Sequence, residues 1–325
     1  MNPFDRTLQF LLRGACIALL AAAAMPVLAQ YPAKPIRLVI PFAAGGSIDA
    51  VARVIAAHMG QTLGQPVVVD SKPGADGVIA GDAVAKAQPD GYTLLLGSAT
   101  GLSYAPAARK TMPYDAVADF TPIGQIGEFG FFLYTNSAVP AGDLREFVEH
   151  AKSSGNRLNH GATTSTGLLM STLFAKAQRF EFVQVPYKGD AQLAPDLLTG
   201  RVHFAFASAV HLPHARTGSL RVLATTLPAR SPLMPEAPTW AEARLAPLAT
   251  SAWAGLFGPA KMPPDVTGRL SRALAAALEK PDVREKFAAL AAQPRPSTPE
   301  QLAVLVKDQL AAWRNAAQAA GVQPE

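Results

Sequence analysis

The chain has 325 residues, a single cysteine and 29 Lys plus Arg against 24 Asp plus Glu, giving a formal charge of +5. The basic excess is scattered, with no dense Lys/Arg block and no interleaved aromatics, which excludes a nucleic-acid partner and remains compatible with anionic small molecules. The lone cysteine, Cys16, excludes a disulfide framework.

Arg6 and Arg13 precede an apolar run, Ala15 to Leu28, that ends in Val27-Leu28-Ala29, a small-x-small cleavage pattern. This reads as a secretory signal peptide over residues 1–29, because the run is shorter than the ~20 residues a membrane span needs. An uncleaved anchor is the alternative. Apolar residues follow Cys16 rather than lead up to it, which argues against lipid modification, and the mature chain is then free of cysteine. Such a chain, placed in the periplasm, depends on its core, and its length suffices for two ordinary domains.

From Tyr31 short apolar runs alternate with helical ones. Ile36–Ile40 predicts a strand, and Phe42 to Asp49, with Gly45 and Gly46, a glycine turn opening a helix. Ile48, Val51, Ile55 and Met59 share one helical face, and Gly60 closes the run. The first amides of a helix have no internal partner and the helix dipole is positive there, so this turn can cradle an anion without Lys or Arg. An ordinary strand-to-helix connection is the alternative. Val67–Val69 predicts a second strand, Val78 to Ala87 a helix, and Tyr92–Leu96 a third strand ending in the small-residue loop Gly97–Gly101. In an open parallel sheet both loops lie at the same edge.

The middle repeats this alternation. Phe131–Tyr134 is a strand, Asp143 caps a helix ended by Gly155, and His160 to Gly167 is a hydroxyl-rich loop that either aims Thr163, Ser165 and Thr166 at a ligand or simply caps the next helix. Strands follow at Val183–Tyr187, Val202–Ala207 and Leu220–Thr225, with a helix from Asp190 to Leu198 ended by Gly200. After a proline-rich connector come a strand at Trp253–Phe257, helices opening at Asp265 and Asp282, and a final helix opened by the capping box Thr298-Pro299-Glu300-Gln301.

Several stretches together resemble the Bug family of periplasmic solute-binding proteins that serve tripartite tricarboxylate transporters. They are Pro41 to Asp49 with Arg53, Gly64 to Asp70 leading to Lys72–Gly77, Pro89 to Leu95, Met112–Asp115 with Asp119-Phe120, and Val185–Gly189. Leu212–His214, Gly218 with Leu220-Arg221, and Trp253–Gly255 complete a set that spans the mature chain in order. The resemblance implies an α/β, two-domain hinged clamshell of the type II periplasmic binding protein kind. Residues 30–129 with 254–325 would form domain 1 and residues 130–253 domain 2. It implies a small carboxylate held by Phe42, Ala43, Gly45, Gly46 and Asp49, then Ser98 and Thr100, then Thr163, Ser165 and Thr166. Asp49 would serve at the helix start rather than on the anion.

The sequence departs from the family pattern at Ala105-Pro106, at Thr164 in place of a usual Gly, at Leu168 in place of a common His, and at Ala207-Ser208 in place of an acidic residue and an amide. The missing carboxylate at Ala207 argues against a ligand with an amino group, and the apolar exchanges leave room for an aromatic or bulkier acid. The four divergent positions are expected to decide which carboxylate fits.

No Gly-x-Ser-x-Gly elbow or Gly-Lys-Ser/Thr loop is present, and His211 and His214, the one close histidine pair, would need further ligands to hold a metal. Phe129, Phe131 and Phe132 line either a pocket or the core. The reading is therefore a monomeric binding protein without catalytic residues, cofactor or metal, which delivers a carboxylate to membrane transporter subunits or to a membrane sensor. An exported α/β hydrolase using the same loops as an anion site is the rival.

Overall fold

The computed structural model describes residues 31–44, 47–155, 158–227, 229–243 and 252–320. The leader expected over residues 1–29, and Gly45 and Gly46, lie outside the described residues. Lys34–Glu325 forms one compact unit.

Within the larger unit the strands sort into two sheets. In the first, β1 (Ile36–Ile40) lies between β2 (Val67–Ser71) and β3 (Thr93–Ser98), parallel to both. The sheet continues through β10 (Ala252–Pro259), β4 (Phe120–Phe129) and β11 (Ala292–Pro294), each antiparallel to its neighbour. In the second, β6 (Asn159–Ala162) lies between β7 (Val183–Pro186) and β8 (Phe204–Ala207), parallel to both, and β5 (Phe132–Asn136) and β9 (Leu220–Thr225) extend it antiparallel. The two orders, β2-β1-β3-β10-β4 and β7-β6-β8-β5-β9, follow one plan. In each, two parallel strands flank a third, and a strand arriving from the other sheet's side of the chain comes next.

Helix α1 (Ser47–Leu63) follows β1 and runs through Gly60, where a stop was expected. Gly60 is an internal packing position: a Cβ there would come within 3.2 Å of the Gln65 carbonyl. The stop is Gly64, whose φ of +76° is the left-handed conformation that helix termini favour. Helix α2 (Val78–Ala85) precedes β3, and a π turn at Thr100–Tyr104 continues into the short α3 (Ala105–Ala108). In the second sheet's layer, Asp143 Oδ1 accepts from Glu146 N at 2.8 Å to cap α4 (Leu144–Ser153), a contact of the kind that contributes about 1 kcal/mol. Helix α5 (Ser165–Gln178) follows β6, α6 (Asp190–Thr199) follows β7 and ends at Gly200 with φ +79°, and α7 (Leu212–Arg216) follows β8.

Helices α8 (Pro264–Leu278), α9 (Pro281–Ala289) and α10 (Pro299–Ala320) follow β10. The capping box of α10 is reciprocal: Thr298 N donates to Gln301 Oε1 at 2.9 Å, and Gln301 N donates to Thr298 Oγ1 at 3.3 Å.

Strand alternation decides what the second sheet buries on each face. Leu133, Phe204 and Phe206 join an aromatic core with Phe147, Phe174, Phe180 and Trp240, whereas Phe132, Tyr134, Ala205 and Ala207 face Leu193, Leu197 and Leu212. Phe132 is thus core. The ten-residue strand β4 was not expected from the sequence. Its Pro122, Gly124 and Gly127 break any β-branched alternation, and Gly127 is held against Phe287, where a Cβ would sit 2.5 Å from the ring.

Candidate functional site

A cleft of about 580 Å³ is lined by residues of both sheets' layers. Four strand-end segments reach it: Phe42 and Ala43 after β1, Ser98 and Thr100 at the end of β3, Thr163, Thr164 and Thr166 after β6, and Ser208, Val210 and His211 after β8. The common plan of the two sheets explains the convergence, because these are the carboxyl ends of equivalent parallel strands. Phe129, Gly130, Phe131 and Trp253 line the cleft where the chain passes between sheets, and Lys188, Gly189 and Asp190 line it at the start of α6.

The hydroxyl groups are committed in a definite way. Thr164 Oγ1 accepts from Gly167 N at 3.0 Å and so caps α5, and Thr163, Thr164 and Thr166 all line the cleft. Gly167 is required by close approach: a Cβ there would lie 2.8 Å from the Phe206 carbonyl oxygen. Thr166 Oγ1 is 2.9 Å from Thr100 Oγ1, a hydrogen bond between the two layers. Ser98 Oγ accepts from Gly101 N at 3.5 Å, and Tyr114 OH donates to Gly101 O at 2.7 Å, fixing the turn after β3 from behind. Burial pushes the Tyr114 hydroxyl well above its ordinary range, so it remains a donor.

Of the residues expected at the site, Phe42, Ala43, Ser98, Thr100, Thr163 and Thr166 line the cleft. Asp49 is buried in the first turn of α1 and pairs with Arg53 at 2.9 Å rather than facing the cleft. Ser165 Oγ donates to Asp76 Oδ1 at 2.5 Å, another contact between the layers. Asp76 sits at φ +59° and also meets Arg109 at 3.3 Å. Ala207 does not reach the cleft: it is fully buried on the core face of β8. Among the departures from the family pattern Thr164 and Ser208 line the cleft, whereas Ala105 is fully buried beneath the first sheet and Leu168 lies outside the lining.

The sequence reading singled out the fourth strand end, Ala207-Ser208, only as a departure from the family pattern, and missed Asp190, which faces it. Ser208 Oγ donates to Asp190 Oδ2 at 2.5 Å, and His211 Nε2 stands 3.8 Å from Asp190 Oδ1. Tyr134 OH donates to the Ser208 carbonyl at 2.9 Å, and its ring meets His211 edge to face. Burial by itself would raise the Asp190 carboxyl, but the neighbouring His211, Ser208 and Thr163 groups outweigh it and hold the carboxyl below the usual range. Asp190 is therefore an anion in the cleft wall. The argument that the cleft lacks a carboxylate, drawn from Ala207, is corrected by this residue, which is supplied by a different strand end. Its signal was the Gly189-Asp190 pair itself, legible only as a helix start.

Among the described residues no group of three or more His, Cys, Asp or Glu side chains is placed to hold a metal ion.

Residues 51–322 match the model of the tripartite tricarboxylate transporter family receptor, TctC. The chain belongs to this family. It is similar to protein BugT of Bordetella pertussis, 35% identical over 93% of this chain and 94% of that one. Two solved structures share the fold. The periplasmic binding protein BugD is 32% identical with a TM-score of 0.83, over 91% of this chain and 100% of that one. An R. palustris protein with adipate is 31% identical with a TM-score of 0.85, over 91% and 100%. The α/β two-domain clamshell expected from the sequence is the fold of this TctC-family chain, and its role is that of a solute-binding receptor.

Proposed function

We propose that this TctC-family receptor captures a small carboxylate on the donor groups around Phe42-Ala43, Ser98, Thr100, Thr163 and Thr166, and presents it to membrane transport subunits. The observation that carries the reading is the Thr100–Thr166 hydroxyl pair, which joins the two layers inside a cleft lined by strand ends and helix starts of both. Helix N-termini and hydroxyls stabilise an anion without a cationic side chain. Closure of one layer on the other around the solute supplies the differential affinity that a transport partner can read.

The division into residues 30–129 with 254–325 and residues 130–253 is supported by the strand membership of the two sheets, with β10 beginning at Ala252. The pattern of Arg6, Arg13 and Ala15 to Ala29 supports export to the periplasm through a cleaved leader, and a monomer is the simplest state in which the cleft can open and close. A non-catalytic role is supported by the order of contacts at Asp190. The Ser208 hydroxyl gives its proton to Asp190 and not to His211, so Ser208 and His211 are not arranged as a nucleophile with an imidazole base.

A thermal-shift screen against aliphatic and aromatic carboxylates, with the ligand recovered and checked for chemical change, tests the reading. Ligand at about 100 Kd adds about 2.7 kcal/mol of stability, a readily measured rise in Tm. An altered ligand would establish turnover and contradict it.

A further inference from the structure

The walls of the cleft differ in hydrogen-bonding character. On the first-sheet side the Ser98 oxygen accepts from Gly101 N, which leaves its hydroxyl proton to be donated, and Thr100 shares its bond with Thr166. At the Asp190 end of the second-sheet side the Ser208 donor is already spent. The Ser208 proton goes to Asp190 Oδ2 and its oxygen accepts from Val210 N at 3.5 Å, so the lone pairs offered to the cleft are chiefly those of Asp190.

Among the described residues Asp190 accepts one side-chain hydrogen bond, from Ser208 to Oδ2. Its side chain is 22% exposed and lines the cleft, while Oδ1 is enclosed and has no hydrogen bond among the described residues, so a solute would meet the carboxylate at Oδ2, beside Ser208. The imidazole opposite, His211, has a side chain only 3% exposed, and its Nε2 likewise has no hydrogen-bond partner among the described residues. At 3.8 Å the two atoms face each other beyond hydrogen-bond reach. A carboxylate taken largely out of water is costly unless a donor or a cation meets it. Lys188, the nearest cation in sequence, lines the cleft with an exposed side chain.

We propose that Asp190 is a specificity residue that selects a carboxylate solute carrying an ammonium group, and that disfavours a second carboxylate. The inference rests on the carboxylate reading above and names its solute class: a zwitterionic amino acid, with its carboxylate on the donor wall and its ammonium on the Asp190–Ser208 wall. Phe129, Phe131 and Trp253, which line the cleft between the sheets, suit an apolar body joining the two groups. A dicarboxylate of the same length would place like charges together at Asp190.

The test is calorimetric titration of the purified protein with matched probes: 6-aminohexanoate, hexanoate and adipate, and L-phenylalanine with 3-phenylpropanoate. Hexanamide controls for the carboxylate. In at least one series the amino acid is expected to bind about tenfold or more tightly than its counterpart without nitrogen and, in the aliphatic series, than the diacid, as a charge-assisted bond predicts. Asp190→Asn is expected to abolish that preference and Asp190→Glu to retain it in part, with both variants checked for unchanged unfolding. Carboxylates that bind without any preference for nitrogen, or a preference that survives Asp190→Asn, overturn the inference and leave the carboxylate reading standing. Hexanamide binding as well as hexanoate, or no probe binding at all, overturns the carboxylate reading and the inference with it.

Discussion

Thr100 Oγ1 and Thr166 Oγ1 lie 2.9 Å apart, one hydroxyl from the turn after β3 and the other from the first turn of α5, so one hydrogen bond links the two layers within the cleft. Removing either partner, by Thr100→Val or Thr166→Val, is expected to weaken solute binding by about 1 kcal/mol, roughly fivefold in Kd. Because the two share one bond, the double variant should be little worse than the worse single one. Titration calorimetry on the four proteins measures that coupling, and full additivity would show that the pair does not act as a unit.

The turn that carries Thr100 is held from behind by Tyr114, whose hydroxyl donates to Gly101 O at 2.7 Å. Tyr114→Phe leaves that buried carbonyl without its donor and is expected to cost about 1–3 kcal/mol in urea unfolding. Solute affinity should fall as well, since the turn loses its support. Unchanged stability would mean that the carbonyl finds another donor.

These two residues show what the sequence makes legible. Thr100 stands in a small-residue loop directly after an apolar strand, a local signal, and Thr166 in a hydroxyl-rich helix start; both are readable from neighbours in the chain. Tyr114 acts on Gly101 across 13 positions, and nothing in its own surroundings announces that contact. The same distinction separates the other successes and failures. Thr298 and Gln301 bond reciprocally as their spacing predicts, because the capping box is a four-residue device. Strand β4 escapes notice because its glycines answer to Phe287 and to the strands on either side, not to a strand pattern of its own. Ala207 was expected in the cleft on the basis of family position, yet pleating turns it to the core, and Asp190, thought of only as a helix start, supplies the carboxylate instead.

The start of α5 is pressed against β8 at Gly167, where a Cβ would meet the Phe206 carbonyl oxygen at 2.8 Å. The obstacle is backbone, so it cannot rotate away. Gly167→Ala is expected to destabilise the protein by about 1–3 kcal/mol and to weaken solute binding, because the helix start must move with Thr166 on it. Denaturant titration and calorimetry check both effects; affinity unchanged in a destabilised variant would place the solute away from α5.

His160 provides a pH signature. It is fully buried between Phe182 and Phe204, and burial lowers its pKa from 6.5 to about 3. Ser171 Oγ lies 3.0 Å from Gly167 O and 2.6 Å from His160 Nε2, and Nδ1 has no partner among the described residues. The folded chain therefore holds His160 neutral where the unfolded chain protonates it. Its contribution is fully present above pH 6.5 and is lost as the pH falls toward about 3. The slope from this one group is about 1.4 kcal/mol per pH unit. Stability measured from pH 7 to pH 4 should fall less steeply in His160→Gln, compared with the parent at each pH; identical slopes would exclude His160 as a source.

The most direct test of the cleft as a carboxylate receptor is calorimetric titration of the purified protein with the carboxylate giving the largest thermal shift and, separately, with its primary amide. The account predicts 1:1 binding of the carboxylate, recovery of the solute unchanged, and an affinity for the amide lower by about tenfold or more, since the amide forfeits the charge-assisted bonds. Equal affinity for acid and amide, or a chemically altered solute, would contradict it.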